Sequence, residues 1–353
     1  MTTPPKRIAW IDVARGIGIV LVVYGHVLRG LQAAHMLSTA NPIWASDYTI
    51  YTFHMPLFFI LAGMQVDRSL SKGRWPFLKS KLMTIAYPYL LWSWFQLSLK
   101  LLAPKGTMNT VHSPITLLTI LWAPVEQFWF LFVLFFCHLL AFVTGARRGL
   151  LTALMAAGVG GAVLIAQGRL SPYGLTGTLC PSLAFYLAGI FIGKRLMRWQ
   201  PNRIVALAWA TCSFVTLLAL SHVCRGLSHG RPELIWSWPV TAAGVVLMVS
   251  LSHLVVEGSS AFADWFGILG RASMTIYIFH VLVAAAVRAA LERAHVVAWA
   301  PQLIAGTIAG VVLPLALHMI LERFDLLAAL GLGAKRRTLQ PQPAPLPMTP
   351  GLE

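Results

Sequence analysis

Two ionisable residues stand out in the first apolar stretch of the chain, because such residues are costly to place in a bilayer. Arg15 lies near the start of this stretch and His26 lies eleven residues later. Eleven residues at 100° each come to about 1100°, three turns plus roughly 20°, so the two side chains share one helix face about 16 Å apart along the axis. Asp12 lies one turn before Arg15 on nearly the same face.

This polar stripe suits a long ligand with an anionic head at one end and a reactive group at the other. Arginine stays charged and donates paired hydrogen bonds from a planar fork, which suits phosphate. Neutral histidine can take a proton from a hydroxyl near neutral pH. The structural alternative is an Arg15 that anchors the helix at the interface and a His26 that only bridges helices. The spacing alone is compatible with both interpretations.

The elements that position these residues are predicted to be membrane helices. The chain has 353 residues, of which 58% are hydrophobic and only 11% are charged, whereas a soluble domain carries about 25% charged residues. Apolar stretches long enough to cross a bilayer recur along the chain, which predicts an all-α, polytopic bundle of about ten transmembrane helices. The predicted spans are residues 9–31, 49–67, 82–102, 127–144, 150–167, 179–197, 203–221, 236–256, 272–291 and 301–321. A short extra helix is possible within 108–126.

The formal net charge of +16 does not indicate a nucleic-acid partner, because the basic residues lie in short loops between spans, where they set orientation. Of the 27 Lys and Arg residues, 19 lie on the side that carries both termini, so that side is predicted to be cytoplasmic. The predicted membrane domain is 1–322, followed by a basic, then Pro-rich tail over 323–353 that is expected to be disordered. The four cysteines and the histidines have no spacing typical of a metal site, and no metal is predicted.

The sequence resembles the acyltransferase family 3 membrane proteins, including the fucose 4-O-acetylase-like branch. The resemblance depends on five segments that occur in the order known from the family and together cover about 1–322. They are Arg15 with His26; Phe53-His54-Met55-Pro56 with Ala62-Gly63; Phe77, Lys79 and Lys81 before Pro88-Tyr89; Phe128-Trp129-Phe130-Leu131; and Ser273, Ile276, Tyr277 and His280.

The resemblance implies a bacterial inner-membrane enzyme that moves an acyl group from cytosolic acyl-CoA, most often acetyl-CoA, to a sugar hydroxyl. The expected acceptor is a surface or secreted polysaccharide or its lipid-linked precursor, and polysaccharide synthesis machinery is a possible partner beside membrane lipids. His26 is expected to be the catalytic base, with Asp12 orienting Arg15 and His54 in the acyl or acceptor site. The CoA phosphates are assigned to Arg15, Arg74, Lys79 and Lys81, and the acceptor is assigned to Trp129, Glu126 and His280.

These residues also have structural interpretations: loop cations set orientation, Trp129 is an interfacial aromatic, and the other histidines bridge helices. The chain departs from the family at Thr84, where a further cation is common. It is also expected to lack the esterase-like domain of some relatives. A transporter for a lipid-linked glycan or a proton-coupled solute is the alternative function, although buried carboxylates are scarce and no paired repeat is evident. A non-catalytic partner of a polysaccharide synthase is a third possibility.

Overall fold

A computed structural model describes residues 8–102 and 114–333, and within these ranges the protein is built of α-helices without β-strands. This confirms the predicted all-α, polytopic membrane bundle. The short helix that was considered possible before Trp129 is present as α6. The helices are α1 (Ala9–Ala33), α2 (Ala45–Gly63), α3 (Val66–Leu70), α4 (Arg74–Lys81), α5 (Tyr87–Leu102), α6 (Thr116–Thr119), α7 (Trp129–Thr144), α8 (Arg148–Ala166), α9 (Gly174–Arg198), α10 (Arg203–Leu227), α11 (Trp238–Gly258), α12 (Ser260–Arg271), α13 (Ser273–Arg293) and α14 (Trp299–Arg323).

Nine helical segments of the described residues are long and apolar enough to cross a membrane. They correspond to nine of the ten predicted spans. The remaining one, 82–102, consists of a π-helical turn over Leu82–Ala86 followed by the 16-residue α5. Pro88 supplies the physical reason, because proline lacks an N–H and its ring clashes with the carbonyl four residues earlier in a regular α-helix. A wider turn before Pro88 relieves that clash and shortens the regular helix.

Contacts at its two ends show that α5 runs from one end of the bundle toward the other. Near its start the Tyr87 hydroxyl donates to the Ala329 carbonyl, just beyond the end of α14. Near its end Lys100 pairs with Glu126, just before α7. Helix α14 runs antiparallel to α1, since Gly306 lies against Val27 and Gly310 lies against Val23. The start of α1 and the end of α14 therefore share one end of the bundle, here called the basic end, which also carries α4.

Helix α1 lies at the centre of the bundle and contacts α2, α11, α12, α13 and α14. Its contact with α12 is unusually close: a Cβ added to Gly16 would lie 2.1 Å from the Phe266 carbonyl oxygen, and one added to Gly270 would lie 2.0 Å from that of Asp12. Small residues at such positions let two membrane helices approach with their backbones in contact. This packing fixes the first turns of α1, where Asp12 and Arg15 lie.

Residues 324–333 fold back over α5 at the basic end. The Trp92 indole donates to the Leu330 carbonyl at 3.0 Å, and Leu332 is 2% exposed. Residues just after the predicted boundary at 322 are therefore packed against the helices. Residues 334–353, which carry the predicted basic and Pro-rich tail, lie outside the described residues.

Candidate active site

Asp12 and Arg15 lie one turn apart at the basic end of α1. The closest side-chain atoms, Oδ1 of Asp12 and a terminal guanidinium nitrogen of Arg15, are 3.9 Å apart. This separation is too long for a hydrogen bond and corresponds to an electrostatic contact. Both side chains are partly exposed, at 15% for Asp12 and 29% for Arg15. Asp12 thus lies within electrostatic reach of Arg15, and its orienting role stays a prediction.

Lys81, at the end of α4, brings a second positive charge to Arg15. Burial and the positive charge of Arg15 lower the pKa of Lys81 to about 8. The amino group also lies 5.4 Å from the centre of the Phe77 ring. Two cations that repel each other in a partly desolvated place favour an anionic ligand between them, because the ligand offsets both the repulsion and the lost hydration.

The other two predicted phosphate ligands are not brought to Arg15. Arg74 donates to the Phe142 carbonyl at 2.8 Å, so it contacts the last turn of α7. Lys79 is exposed and lies with Trp75 and Leu82 on the outer face of α4. Residues two positions apart in an α-helix differ by about 200° in direction, so Lys79 and Lys81 point to opposite sides of α4. Of the predicted set, only Arg15 and Lys81 form a pair.

Three histidines from three helices meet further along α1, toward the opposite end of the bundle. The ring centres of His26 and His280 lie 4.9 Å apart with an interplanar angle of 66°. The Tyr51 ring lies 6.1 Å from that of His26 and 4.7 Å from that of His54. The sequence predicted each histidine separately; in the fold His280 contacts His26, and Tyr51 contacts both His26 and His54, so that the four rings form one cluster.

Backbone carbonyls fix the orientation of two of these histidines. Nδ1 of His54 lies 2.7 Å from the Ile50 oxygen, and Nδ1 of His280 lies 2.7 Å from the Tyr277 oxygen. Because a carbonyl can only accept, each Nδ1 carries the proton in the neutral ring and each Nε2 is left as a hydrogen-bond acceptor. Both Nε2 atoms are buried without a hydrogen-bond partner within residues 8–102 and 114–333.

Arg29 and Asp47 complete the cluster, and sequence analysis missed both. The Arg29 guanidinium donates two hydrogen bonds to the Asp47 carboxylate, at 2.7 Å and 3.0 Å. Its central carbon lies 3.1 Å from the centre of the Tyr51 ring. The signal was available, since Arg29 follows His26 by three residues and Asp47, Tyr51 and His54 follow one another at helical spacing.

His26 lines a cavity of about 560 Å³, here called the His26 cavity. Its walls combine apolar side chains of α1 and α13 with several polar groups. Glu126, in a left-handed backbone conformation with φ of +46°, pairs with Lys100 in the wall. The polar residues that line the cavity are His26, Arg29, Lys100, Glu126, Gln127, Arg288 and Gln302.

Trp129 lines a different cavity, of about 290 Å³, here called the Trp129 cavity. Arg29 lines both cavities, and the Tyr51 ring stacked on it lines the Trp129 cavity. The predicted acceptor residues are therefore divided: Glu126 lines the His26 cavity and His280 lies against His26, whereas Trp129 faces the other cavity.

Packed side chains occupy the α1 face between Arg15 and His26. Ile19 and Val22 are each 1% exposed, and the Phe58 ring lies against Gly18. A ligand that spans from Arg15 to His26 would thus have to separate α1 from its neighbours. Within the described residues, no three His, Cys, Asp or Glu side chains are arranged to hold a metal ion.

Comparisons with known proteins find similarity at the level of the sequence. A family model described as an acyltransferase domain matches residues 8–319. The chain is also similar to Nodulation protein NolL of Mesorhizobium japonicum (strain LMG 29417 / CECT 9101 / MAFF 303099), with 28% identity over 268 residues, which are 72% of this chain and 67% of that protein. No solved structure matches the chain.

Proposed function

The chain belongs to the acyltransferase family whose model spans residues 8–319, and we propose that this multi-pass membrane acyltransferase moves an acyl group from acyl-CoA to a sugar hydroxyl. The observation that carries the proposal is the division of α1 into a cationic end at Arg15 and Lys81 and a histidine cluster about 16 Å further along the helix. Acyl-CoA has the same division, with phosphates at one end and the thioester at the end of a long arm. For this arm to reach His26, α1 has to separate from the side chains that pack on Ile19 and Val22. The family membership favours this enzyme over the transporter alternative.

The donor end of the site is assigned to Arg15 and Lys81. Phosphate oxygens accept charge-assisted hydrogen bonds from guanidinium and ammonium groups, which are among the stronger hydrogen bonds in proteins. Arg15 supplies a planar, permanently charged fork and Lys81 supplies a point charge. Arg74 and Lys79 are left out of this assignment, since neither is positioned beside Arg15.

The chemical step is assigned to His26. One ring nitrogen takes the proton of the sugar hydroxyl as its oxygen attacks the thioester carbonyl carbon, and a tetrahedral oxyanion forms. The C–S bond then breaks, the ester is complete, and the CoA thiolate takes the proton back from His26. Arg29 lines the same cavity and supplies positive charge near the oxyanion, an arrangement that stabilises such intermediates. His280 positions the ring of His26 from its edge.

The setting of the reaction follows the charge distribution and the family resemblance. The basic end would face the cytoplasm of a bacterial inner membrane, where acyl-CoA is available, because Lys and Arg accumulate on cytoplasmic loops. The proposed acyl group is acetyl. The proposed acceptor is a surface or secreted polysaccharide or its lipid-linked precursor.

Two measurements test this function. Protein purified in detergent is incubated with acetyl-CoA labelled in the acetyl group, and release of CoA is followed with and without added sugar. In parallel, surface glycans of cells with and without the protein are compared by mass spectrometry. The proposal expects CoA release that depends on His26. It also expects the surface glycans of cells without the protein to be lighter by one acyl group for each sugar residue that the protein modifies. Glycans of identical mass together with no CoA release would contradict it and favour a non-catalytic assembly partner.

A further inference from the structure

Asp47 holds the guanidinium of Arg29 along one edge. Nε and one terminal nitrogen of Arg29 donate to the two carboxylate oxygens, at 2.7 Å and 3.0 Å. Paired, charge-assisted hydrogen bonds of this kind fix the plane of a guanidinium as well as its position. The side chain of Asp47 is 9% exposed, whereas that of Arg29 is 41% exposed. The pair is thus anchored on its carboxylate side and accessible on its cationic side.

Tyr51 covers one face of the same guanidinium. The centre of its ring lies 3.1 Å from the central carbon of Arg29. Asp47 takes one edge and Tyr51 takes one face, and the second terminal nitrogen has no hydrogen-bond partner within residues 8–102 and 114–333. Two N–H groups of Arg29 are therefore left over for a further acceptor.

The uncovered part of Arg29 belongs to the cavity that the candidate base lines. Arg29 and His26 both line the His26 cavity, whereas Asp47 and Tyr51 do not. The two residues are three positions apart on α1, so their side chains leave neighbouring parts of the helix surface. Asp47 lines neither the His26 cavity nor the Trp129 cavity, and any influence it has on a ligand there has to pass through Arg29.

The backbone that carries Asp47 is fixed on both sides. The Tyr24 hydroxyl of α1 is hydrogen-bonded to the hydroxyl of Ser46 at 2.8 Å. The Tyr48 hydroxyl is buried and hydrogen-bonded to that of Ser237, just before α11, also at 2.8 Å. The residues before and after Asp47 are therefore tied to two other helices, which makes the carboxylate a rigid support for a long and flexible arginine side chain.

Glu233 is a competing carboxylate for Arg29. It attracts the Arg29 guanidinium electrostatically and lines the Trp129 cavity, which Arg29 lines as well. Glu233 does not line the His26 cavity. A guanidinium released from Asp47 is therefore drawn toward Glu233 and away from His26.

We propose that Asp47 is a positioning residue for acyl transfer, which holds Arg29 so that its uncovered nitrogen donates to the thioester oxygen in the His26 cavity. The inference rests on the proposed acyl transfer and on the charge assigned there to Arg29. When the sugar oxygen adds to the thioester carbon, negative charge moves onto the carbonyl oxygen. A donor that is already oriented stabilises this charge without first having to turn.

A double-mutant cycle on the rate of CoA release provides the first test. The donor is acetyl-CoA, and the acceptor is surface glycan isolated from cells without the protein. Arg29→Met should lower kcat roughly 10²- to 10³-fold, as for a lost oxyanion donor. Asp47→Asn keeps the shape of the side chain and should lower kcat roughly 10²-fold through misplacement of Arg29, with the KM for acetyl-CoA unchanged.

The coupling between the two substitutions identifies how Asp47 acts. In the Arg29→Met background, Asp47→Asn should cause no further loss of kcat, because the residue that Asp47 positions is gone. Losses that multiply in the double variant, a change in KM alone, or an unchanged kcat in Asp47→Asn would overturn the inference.

Glu233→Gln is the matched control for charge. It removes a negative charge near the same guanidinium without removing a hydrogen bond, so kcat should stay at the wild-type value. Equal losses in Glu233→Gln and Asp47→Asn would show that only the net charge around Arg29 matters. Arg29→Lys keeps the positive charge but not the planar fork, and should lose nearly as much activity as Arg29→Met. A wild-type kcat in Arg29→Lys would contradict the inference, and this variant leaves Asp47 unchanged.

Added guanidinium tests positioning in a way that a loss of folding cannot imitate. Arg29→Ala leaves space for a free guanidinium ion, which Asp47 can hold by the same two hydrogen bonds. Millimolar guanidinium chloride should restore part of the CoA release in Arg29→Ala but not in the variant that also carries Asp47→Asn. Equal restoration in both variants, or none in Arg29→Ala, would contradict the role of Asp47.

The wild-type rate separates this inference from the proposed function. Wild-type protein that releases no CoA with these glycans would overturn the acyl transfer and the role of Asp47 together. CoA release that depends on His26, combined with independent losses in Arg29→Met and Asp47→Asn, would keep the acyltransferase function and remove only the role of Asp47. Thermal unfolding in detergent accompanies each variant, and if Asp47→Asn does not fold, Arg29→Lys alone tests the inference.

Discussion

The imidazole of His280 lies edge-on against that of His26, with the ring centres 4.9 Å apart, and so connects α13 with α1. Its Nδ1 is held by backbone carbonyls of its own helix, so the ring cannot rotate without losing those bonds. A ring fixed in this way restricts the orientation of its neighbour. The candidate base is thus positioned by a residue from the other end of the chain.

Replacement of His26 should abolish acyl transfer while the donor still binds. His26→Ala and His26→Gln are each expected to lower the transfer rate by roughly 10²- to 10⁴-fold, the usual contribution of a positioned base. The measurement is CoA release in the presence of acceptor, with acetyl-CoA affinity determined separately by calorimetry. A stably inserted His26→Ala protein with the wild-type rate would exclude His26 as the base.

Donor affinity should depend on Lys81 but not on Lys79. Arg15→Ala and Lys81→Met each remove a charge-assisted hydrogen bond and should weaken acetyl-CoA binding roughly 10- to 100-fold. Lys79→Met removes the same charge from the opposite face of α4. This variant should therefore bind acetyl-CoA as tightly as the wild-type protein does. Equal losses in Lys79→Met and Lys81→Met would indicate that only the overall charge of α4 matters. Because Arg74 contacts the end of α7, Arg74→Ala should lower thermal stability rather than donor affinity.

Donor binding should weaken as the pH rises through about 8. The pKa of Lys81 is lowered to about 8 by burial and by Arg15, and only the protonated amine pairs with phosphate. Phosphate binding favours the protonated amine and so raises the pKa of Lys81. The affinity for acetyl-CoA is therefore full below pH 8. Above pH 8 it falls by up to tenfold per pH unit, because a shift of one pKa unit corresponds to 1.36 kcal/mol. The phosphates themselves are already ionised there, with a second pKa near 6. Titrating acetyl-CoA between pH 6.5 and 9.5 checks this.

The matched variant for the pH experiment is Lys81→Arg, because a guanidinium stays charged across this range. Its donor affinity should show a flatter pH profile above pH 8 than the wild-type profile. A wild-type profile that is already flat from pH 7 to 9, or an unchanged slope in Lys81→Arg, would show that Lys81 does not contact the phosphates.

The contact between α1 and α12 should tolerate no side chain. Gly270→Ala places a methyl group 2.0 Å from the Asp12 carbonyl oxygen, and backbone atoms on both helices must shift to admit it. We expect about 1–3 kcal/mol of destabilisation, as for other overpacked sites, and weaker donor binding because Asp12 and Arg15 move. The control is Gly160→Ala, whose added methyl group meets nothing within 4 Å. Thermal unfolding in detergent compares the two, and equal midpoints would contradict the close packing.

Local periodicity and hydropathy determined much of the fold. A bilayer requires every backbone polar group to be bonded within the membrane, so long apolar stretches become helices and their positions can be read from the sequence. The one span that deviates, 82–102, does so where Pro88 forces a π-helical turn. The common face of Arg15 and His26 also follows from helical geometry alone, since both residues lie on one continuous helix.

The composition of the site was decided by the tertiary structure. Helices such as α2 and α14 do not separate into a polar face and an apolar face, so the sequence does not specify which side meets which neighbour. Only packing places Lys81 rather than Lys79 beside Arg15, pairs Arg29 with Asp47, and brings His280 against His26. The sequence by itself determined the helices and the spacing along α1. Which residues meet that face of α1 depends on how each neighbouring helix is rotated about its own axis. No local sequence pattern encodes that rotation.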